Sequence, residues 1–256
     1  MLKNNALIFI LLWPCLSSAQ SLQSNIARSD NPGACTLQQN KELYKYYSKK
    51  INPAFELING REYLPYYLQS PRKPILLSGK DYYSFLMTTK GMGYTNSLLE
   101  YDTFTDKLLV ADSSRSFRNS PMRIELNKDN VDYFAFFSGG DTLLFRYLSK
   151  DMIPDFNLKE GYYEVVYDRK SKFIIRHLSS AFVNNGITEY QYFTISYINT
   201  GAGFERIIKI KQLMEIFGDN SHQARIYCRK NGIKMYSKDK KQIARVLKYY
   251  DTLQQT

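Results

Sequence analysis

From about residue 60 to residue 208 the chain alternates short apolar stretches with polar punctuation, at a spacing of roughly 8–12 residues. The apolar stretches are rich in Tyr, Phe, Val and Ile, the residues that suit a pleated, half-buried surface. Strands are predicted over residues 61–68, 82–89, 95–101, 107–111, 133–137, 142–148, 162–168, 172–178 and 189–198. Turn chemistry separates them: Asn59-Gly60, Lys90-Gly91, Ser138-Gly139-Gly140-Asp141, Asp168-Arg169-Lys170-Ser171, Asn184-Asn185-Gly186 and Asn199-Thr200-Gly201. The clearest hairpin joins 162–168 to 172–178; in its second strand Phe173, Ile175 and His177 face one way, and Ile174, Arg176 and Leu178 the other.

The period then changes from two to that of a helix. Ile210, Leu213, Met214 and Phe217 recur at i, i+3, i+4 and i+7, and Gly218 stops the run. Asp219 or Ser221 can cap a second helix ending near Gly232. Asp239, three residues before Gln242, has capping-box spacing for a third helix, whose stripe is Ile243, Val246, Leu247, Tyr250 and Leu253. A further short helix is predicted over 37–50 and ends at Asn52-Pro53. The fold class is therefore α+β: a mainly antiparallel β body, sandwich or barrel-like, with three C-terminal helices over one face or end of it.

The first twenty residues belong to another category. Lys3, an apolar stretch from Ala6 to Trp13, and small Ser17, Ser18 and Ala19 have the three-part layout of a secretory signal. Cleavage after Ala19 would leave a polar lead-in (20–35), a helix plus β-rich body (36–208) and a helical segment (209–256). A competing reading makes Cys15 the acylated residue of a lipoprotein, although Pro14 stands where a small residue is expected. No apolar run reaches the roughly 20 residues of a membrane-spanning helix, so an integral helical membrane protein is not expected. In an oxidising compartment Cys35 and Cys228 are either a disulfide tying the lead-in to the helices or two separate thiols, one of them a buried small hydrophobe.

Composition locates the charge. The chain of 256 residues carries a formal net charge of +11, and eight of those charges lie between Gln223 and Tyr250, where nine basic residues meet only Asp239. Arg225, Arg229, Lys230, Lys240, Lys241 and Arg245 form a candidate docking face for an anionic envelope component or surface polymer; the bland alternative is a solvated helical face. Nucleic acid is not an expected partner of an exported chain.

Motif-borne catalysis is missing. There is no GxSxG elbow, Walker loop, GxGxxG, HExxH or CxxC, and the two histidines are isolated in sequence, so no cofactor or metal is expected. His177 reads as a packed, hydrogen-bonded histidine and His222 as exposed. Paired carboxylates have no short signature, which leaves Asp102 with Asp106, and Glu164 with Asp168 on one strand face, as acid–base candidates. The simpler role of the first pair is turn capping. Tyr101, Tyr162, Tyr163 and Glu164 could line a glycan-binding surface or belong to an ordinary sheet face.

Several stretches together carry a resemblance: Asn59-Gly60-Arg61-Glu62-Tyr63, Leu99-Glu100-Tyr101-Asp102 with Asp106 and Leu109-Val110, Gly161-Tyr162-Tyr163-Glu164-Val165 with Tyr167, and Tyr249-Tyr250-Asp251. Over roughly residues 55–254 the chain resembles a group of small exported proteins of Bacteroidota, departing from it at Ser70-Pro71-Arg72-Lys73-Pro74. The resemblance implies a Gram-negative envelope or extracellular location and no catalytic residues. The resulting expectation is a non-enzymatic exported interaction or ligand-binding module. Its alternatives are a carboxylate-dependent hydrolase of surface glycans and, if the strands close into a barrel, a carrier of apolar ligands.

Overall fold

The computed structural model describes residues 60–95, 98–117, 120–152 and 158–254, all within the unit that spans residues 44–256. The expected leader, Cys35 and the helix expected over 37–50 lie outside the described residues. Among those described, the twelve strands are β1 Arg61–Glu62, β2 Tyr83–Thr88, β3 Gly93–Thr95, β4 Leu99–Asp102, β5 Lys107–Phe117, β6 Ser120–Glu125, β7 Val131–Ser138, β8 Asp141–Leu148, β9 Gly161–Asp168, β10 Lys172–Asn184, β11 Ile187–Asn199 and β12 Phe204–Ile207. Three helices follow: α1 Ile210–Ile216, α2 Ser221–Lys230 and α3 Lys240–Leu253.

The strands form two antiparallel sheets. The larger has the order β12-β11-β10-β9-β8-β7-β2-β3, and the smaller β1-β6-β5-β4. The strand order of each sheet is linear, with an edge strand at either end, so neither closes into a barrel, and the arrangement is sandwich-like. That removes the premise of an apolar-ligand barrel.

One row of cross-strand partners explains the layers. Tyr94, Leu86, Phe134, Phe145, Glu164, Ile175, Ser196 and Ile207 stand side by side across all eight strands of the large sheet. Partners opposite one another share a face, so this row marks the inner face. Over β3, β2, β7 and β8 that face is covered by Tyr101, Leu108 and Ile124 of the small sheet. Towards β12 it is covered by the helices: Phe173, Ile175, Ile198 and Ile207 pack with Leu213, Met214, Ile243, Val246 and Leu247. Glu164 stands where the two covers meet, the one charged residue in the row.

The expected strand over 61–68 survives only as Arg61–Glu62. Pro65 cannot donate to a ladder, and the segment turns instead, so that Tyr63 and Tyr66 reach Asp102. The expected strand over 95–101 is two strands in different sheets, β3 and β4. Neither β6 nor β12 is predicted by the apolar pattern. The expected C-terminal helices are present with boundaries close to those read from their periodicity, and Asp239 caps α3 by accepting from the Lys241 N–H at 2.8 Å. None of the described helices is long and apolar enough to cross a membrane.

Candidate functional site

A β-bulge decides where the chemistry lies. Asp168 opposes Lys172 and Tyr167 opposes Phe173, but Val165 then opposes Ile174 and Glu164 opposes Ile175, so Val166 is the extra residue. Residues 172 and 175 point to opposite faces, and the bulge therefore separates Glu164 from Asp168. Glu164 is turned inward, 2% exposed, while Asp168 is exposed and pairs with Lys172 at 3.7 Å and Arg146 at 4.0 Å. The expected Glu164–Asp168 pair does not exist.

Glu164 instead meets His177. Its Oε2 lies 2.9 Å from His177 Nε2, its Oε1 accepts from Lys240 Nζ at the first turn of α3, and His177 Nδ1 lies 2.6 Å from the Tyr192 hydroxyl. Four elements, β9, β10, β11 and α3, are tied by this chain of contacts. Burial pushes the Glu164 carboxyl up, but the hydrogen bonds and charges of His177 and Lys240 more than offset it and hold it below the usual carboxylate value. An ionised carboxylate only accepts, so His177 Nε2 carries a proton and donates to Glu164. The phenol of Tyr192 is raised by burial and by the Glu164 charge, and it remains a donor at neutral pH.

These residues wall a cleft of about 490 Å³. Its outer wall is the loop 73–80, which is pinned by backbone bonds from Leu76 N–H to Tyr101 O and from Thr103 N–H to Pro74 O, both 2.9 Å. Thr103 O in turn accepts from Ser179 N–H of β10 at 3.1 Å. Lys238 enters from the segment before α3, which is held against α1 by Ile210 N–H to Ser237 O at 3.1 Å, and Lys240 from the first turn of α3. The lining is mixed: Ile75, Leu77, Leu143 and Ile175 are apolar, while Ser179, Thr194 and Ser196 supply hydroxyls. His177 is a buried histidine with both ring nitrogens bonded, and it also lines this cleft.

The remaining sequence candidates serve the fold. Asp102, fully buried, accepts from the Tyr63 and Tyr66 hydroxyls at 2.6 and 2.8 Å, from the Phe104 and Thr105 amides, and from the Thr105 hydroxyl. Asp106 serves other groups: the Tyr101 hydroxyl at 2.7 Å, the Tyr162 amide at 3.2 Å and Lys128 at 3.4 Å. Both close the β4–β5 turn, and their carboxylates do not converge on one reacting atom. Tyr101, Tyr162 and Tyr163 are buried, and Tyr162 and Tyr163 point to opposite faces of β9, so no tyrosine-lined glycan surface exists there. Asp106 is also packed against Gly161, where a Cβ would lie 2.4 Å from its Oδ2.

The six basic candidates divide. Lys240 turns inward to Glu164 and Lys241 pairs with Asp141 in the β7–β8 turn, while Arg225, Arg229, Lys230 and Arg245 are exposed. His222 is exposed. Cys228 is a buried free thiol within the helical core, raised by that burial. No cluster of three or more His, Cys, Asp or Glu side chains suited to a metal occurs among the described residues. Compared with protein families, curated proteins and solved structures, the chain matches none.

Proposed function

We propose that the chain is an exported ligand-binding module of a Gram-negative envelope, and that its ligand enters the cleft between the 73–80 loop, the β10–β11 hairpin and the start of α3. The observation that carries the binding reading is the cleft itself. It combines about 490 Å³ of space with a lining of apolar and polar side chains, within the roughly 300–1,000 Å³ of small-molecule sites. Export rests on the layout of residues 1–20 and on the resemblance to exported proteins. Binding is favoured over two-carboxylate hydrolysis by the state of Glu164. Both its oxygens are engaged and its carboxyl is held low, whereas a general acid needs a raised pKa and a free proton.

Two measurements test the two halves. Thr194 is exposed and lines the cleft, so Thr194→Trp fills the opening without disturbing the core. The variant is expected to fold as the parent does and to lose retention on isolated envelope fractions. A folded variant retained as strongly as the parent removes the cleft from the reading. Intact mass of the protein recovered from fractionated cells is expected to show a chain starting at Gln20. A chain that keeps Met1 and stays in the cytoplasm removes export, and acylation at Cys15 makes it a surface lipoprotein.

A further inference from the structure

The lysines around the cleft are not balanced by the residues beside them. Among the described residues, Lys73, Lys80, Lys238 and Lys240 line it against a single carboxylate, Glu164. Glu164 is already met by Lys240 and His177. The ammonium groups of Lys73, Lys80 and Lys238 have no hydrogen-bond or ion-pair partner among the described residues. Two of them come from the loop wall and one from the approach to α3. Like charges collected around a concave site raise the local concentration of anions.

We propose that the cleft binds a phosphorylated saccharide, its phosphate held by Lys73, Lys80 and Lys238 and its sugar ring resting between Tyr192 and the hydroxyls of Thr194 and Ser196. This rests on the binding reading above and names the chemistry of the ligand. Three features select that chemistry. The charge is supplied by lysine, a compact point charge with three rotatable donors that suits phosphate, and among the described residues the lining holds no arginine fork of the kind that grips a carboxylate in bidentate fashion. Neutral hydroxyls beside the lysines match the donors and acceptors of a sugar ring. The apolar patch of Ile75, Leu77 and Leu143 offers a surface for the ring's C–H face. The half-exposed Tyr192 ring stays oriented because its hydroxyl is bound to His177. A soluble sugar phosphate and the phosphorylated sugar headgroup of a glycolipid share this chemistry.

Calorimetric titration of the full exported protein with glucose 6-phosphate, glucose, glucuronate and inorganic phosphate tests the proposal, alongside flotation with phosphatidylcholine vesicles carrying monophosphoryl lipid A. Either glucose 6-phosphate or the lipid A vesicles are expected to bind, with the sugar phosphate about ten-fold or more tighter than glucose and than glucuronate if the soluble form is the ligand. The affinity should weaken with salt. The triple variant Lys73→Ala/Lys80→Ala/Lys238→Ala, whose altered side chains are exposed, should keep its thermal midpoint and lose about ten-fold or more in affinity. Preference for the vesicles assigns the glycolipid as source, and preference for the soluble ester assigns the free sugar. Glucose or glucuronate binding as tightly as the ester overturns the phosphate assignment, as does an unaffected triple variant or the absence of binding by every phosphorylated probe. In each of those cases Thr194→Trp on envelope fractions still reports separately whether the cleft binds at all.

Discussion

Glu164 is a charge withdrawn from water in the middle of an otherwise uncharged row, and it is tolerated because each of its oxygens has a cationic or N–H partner. Removing one partner of a buried pair costs about 3–5 kcal/mol. Lys240 is 28% exposed at its side chain and can recover hydration, so Glu164→Gln is expected to cost less, about 2 kcal/mol of unfolding free energy. The pH dependence follows from the lowered carboxyl. The fold favours the ionised form, so this contribution is complete above the ordinary glutamate value of about 4.3 and is lost as pH falls through the lowered folded value. Denaturant unfolding of both proteins between neutral and acid pH checks it: the parent should lose more stability than Glu164→Gln on the acid side. Equal slopes would remove Glu164 as the acid-sensitive anchor. The sequence could not show this site. An unbroken hairpin closing at Asp168 and Lys172 would oppose Glu164 to Arg176, on the outer face; the extra residue Val166 turns it towards His177. A one-residue slip reverses every side chain, and nothing in Tyr162-Tyr163-Glu164-Val165-Val166 announces it. Turn capping, by contrast, was legible at Asp102, whose side chain reaches the amides two and three residues on; Asp106 instead serves the Tyr162 amide, far away in the sequence.

At the scale of elements, α3 carries one side of the cleft and is held at both ends. Its first turn binds Glu164 through Lys240. Near its end, the buried Asp251 accepts from the Tyr167 hydroxyl at 2.8 Å, from the Ser171 hydroxyl at 2.5 Å and from the Ser171 amide at 3.1 Å. Between them Tyr250 stacks on Phe217 of the α1 terminus, with ring centroids 3.9 Å apart. Asp251→Ala strands the donors that it satisfies, at about 1–3 kcal/mol for each buried group left unpaired. The expected outcome is a loss of about 3 kcal/mol, with amide exchange accelerating in α3 before it does in β7 and β8. Uniform acceleration across the sheet would show that Asp251 supports the whole core and not helix docking. The helical stripe that makes this docking possible was plain in the sequence, because Ile243, Val246, Leu247 and Tyr250 repeat within one chain segment and are all buried. Short β6 and β12 were not, since a strand of four to six residues gains its identity from a distant partner: Arg61 for Glu125, Ser196 for Ile207.

For the molecule as a whole, the sheet-then-helix order predicted an α+β body, but not how its cover is divided. Which face of the large sheet is shared between a second sheet and a helical layer depends on strand order, and strand order is set by pairings far apart in sequence. The seam that makes the cleft is a product of that division.

The same packing gives the molecule a titration signature. Among the described tyrosines, twelve are raised above the ordinary phenol value: Tyr63, Tyr66, Tyr67, Tyr82, Tyr101, Tyr133, Tyr147, Tyr162, Tyr163, Tyr167, Tyr190 and Tyr192. Burial is the leading cause, reinforced by carboxylates such as Asp102 beside Tyr63 and Tyr66; Tyr67 and Tyr82 are each pushed up to about 12. In each case the fold favours the neutral phenol. Their contribution to stability is complete below the unfolded value of about 10 and declines as pH rises above it, because the unfolded chain then releases protons that the folded chain retains. Phenolate absorbance from these raised groups should therefore rise in one steep portion, coincident with loss of the β-sheet circular dichroism. Phe in place of both Tyr63 and Tyr66 would remove two of the raised groups. It would also leave the buried Asp102 short of two donors, so the steep portion should begin at lower pH. Smooth ionisation of all the tyrosines with the circular dichroism intact would show that these rings do not hold the core, and that the protons of the Asp102 cluster exchange without unfolding.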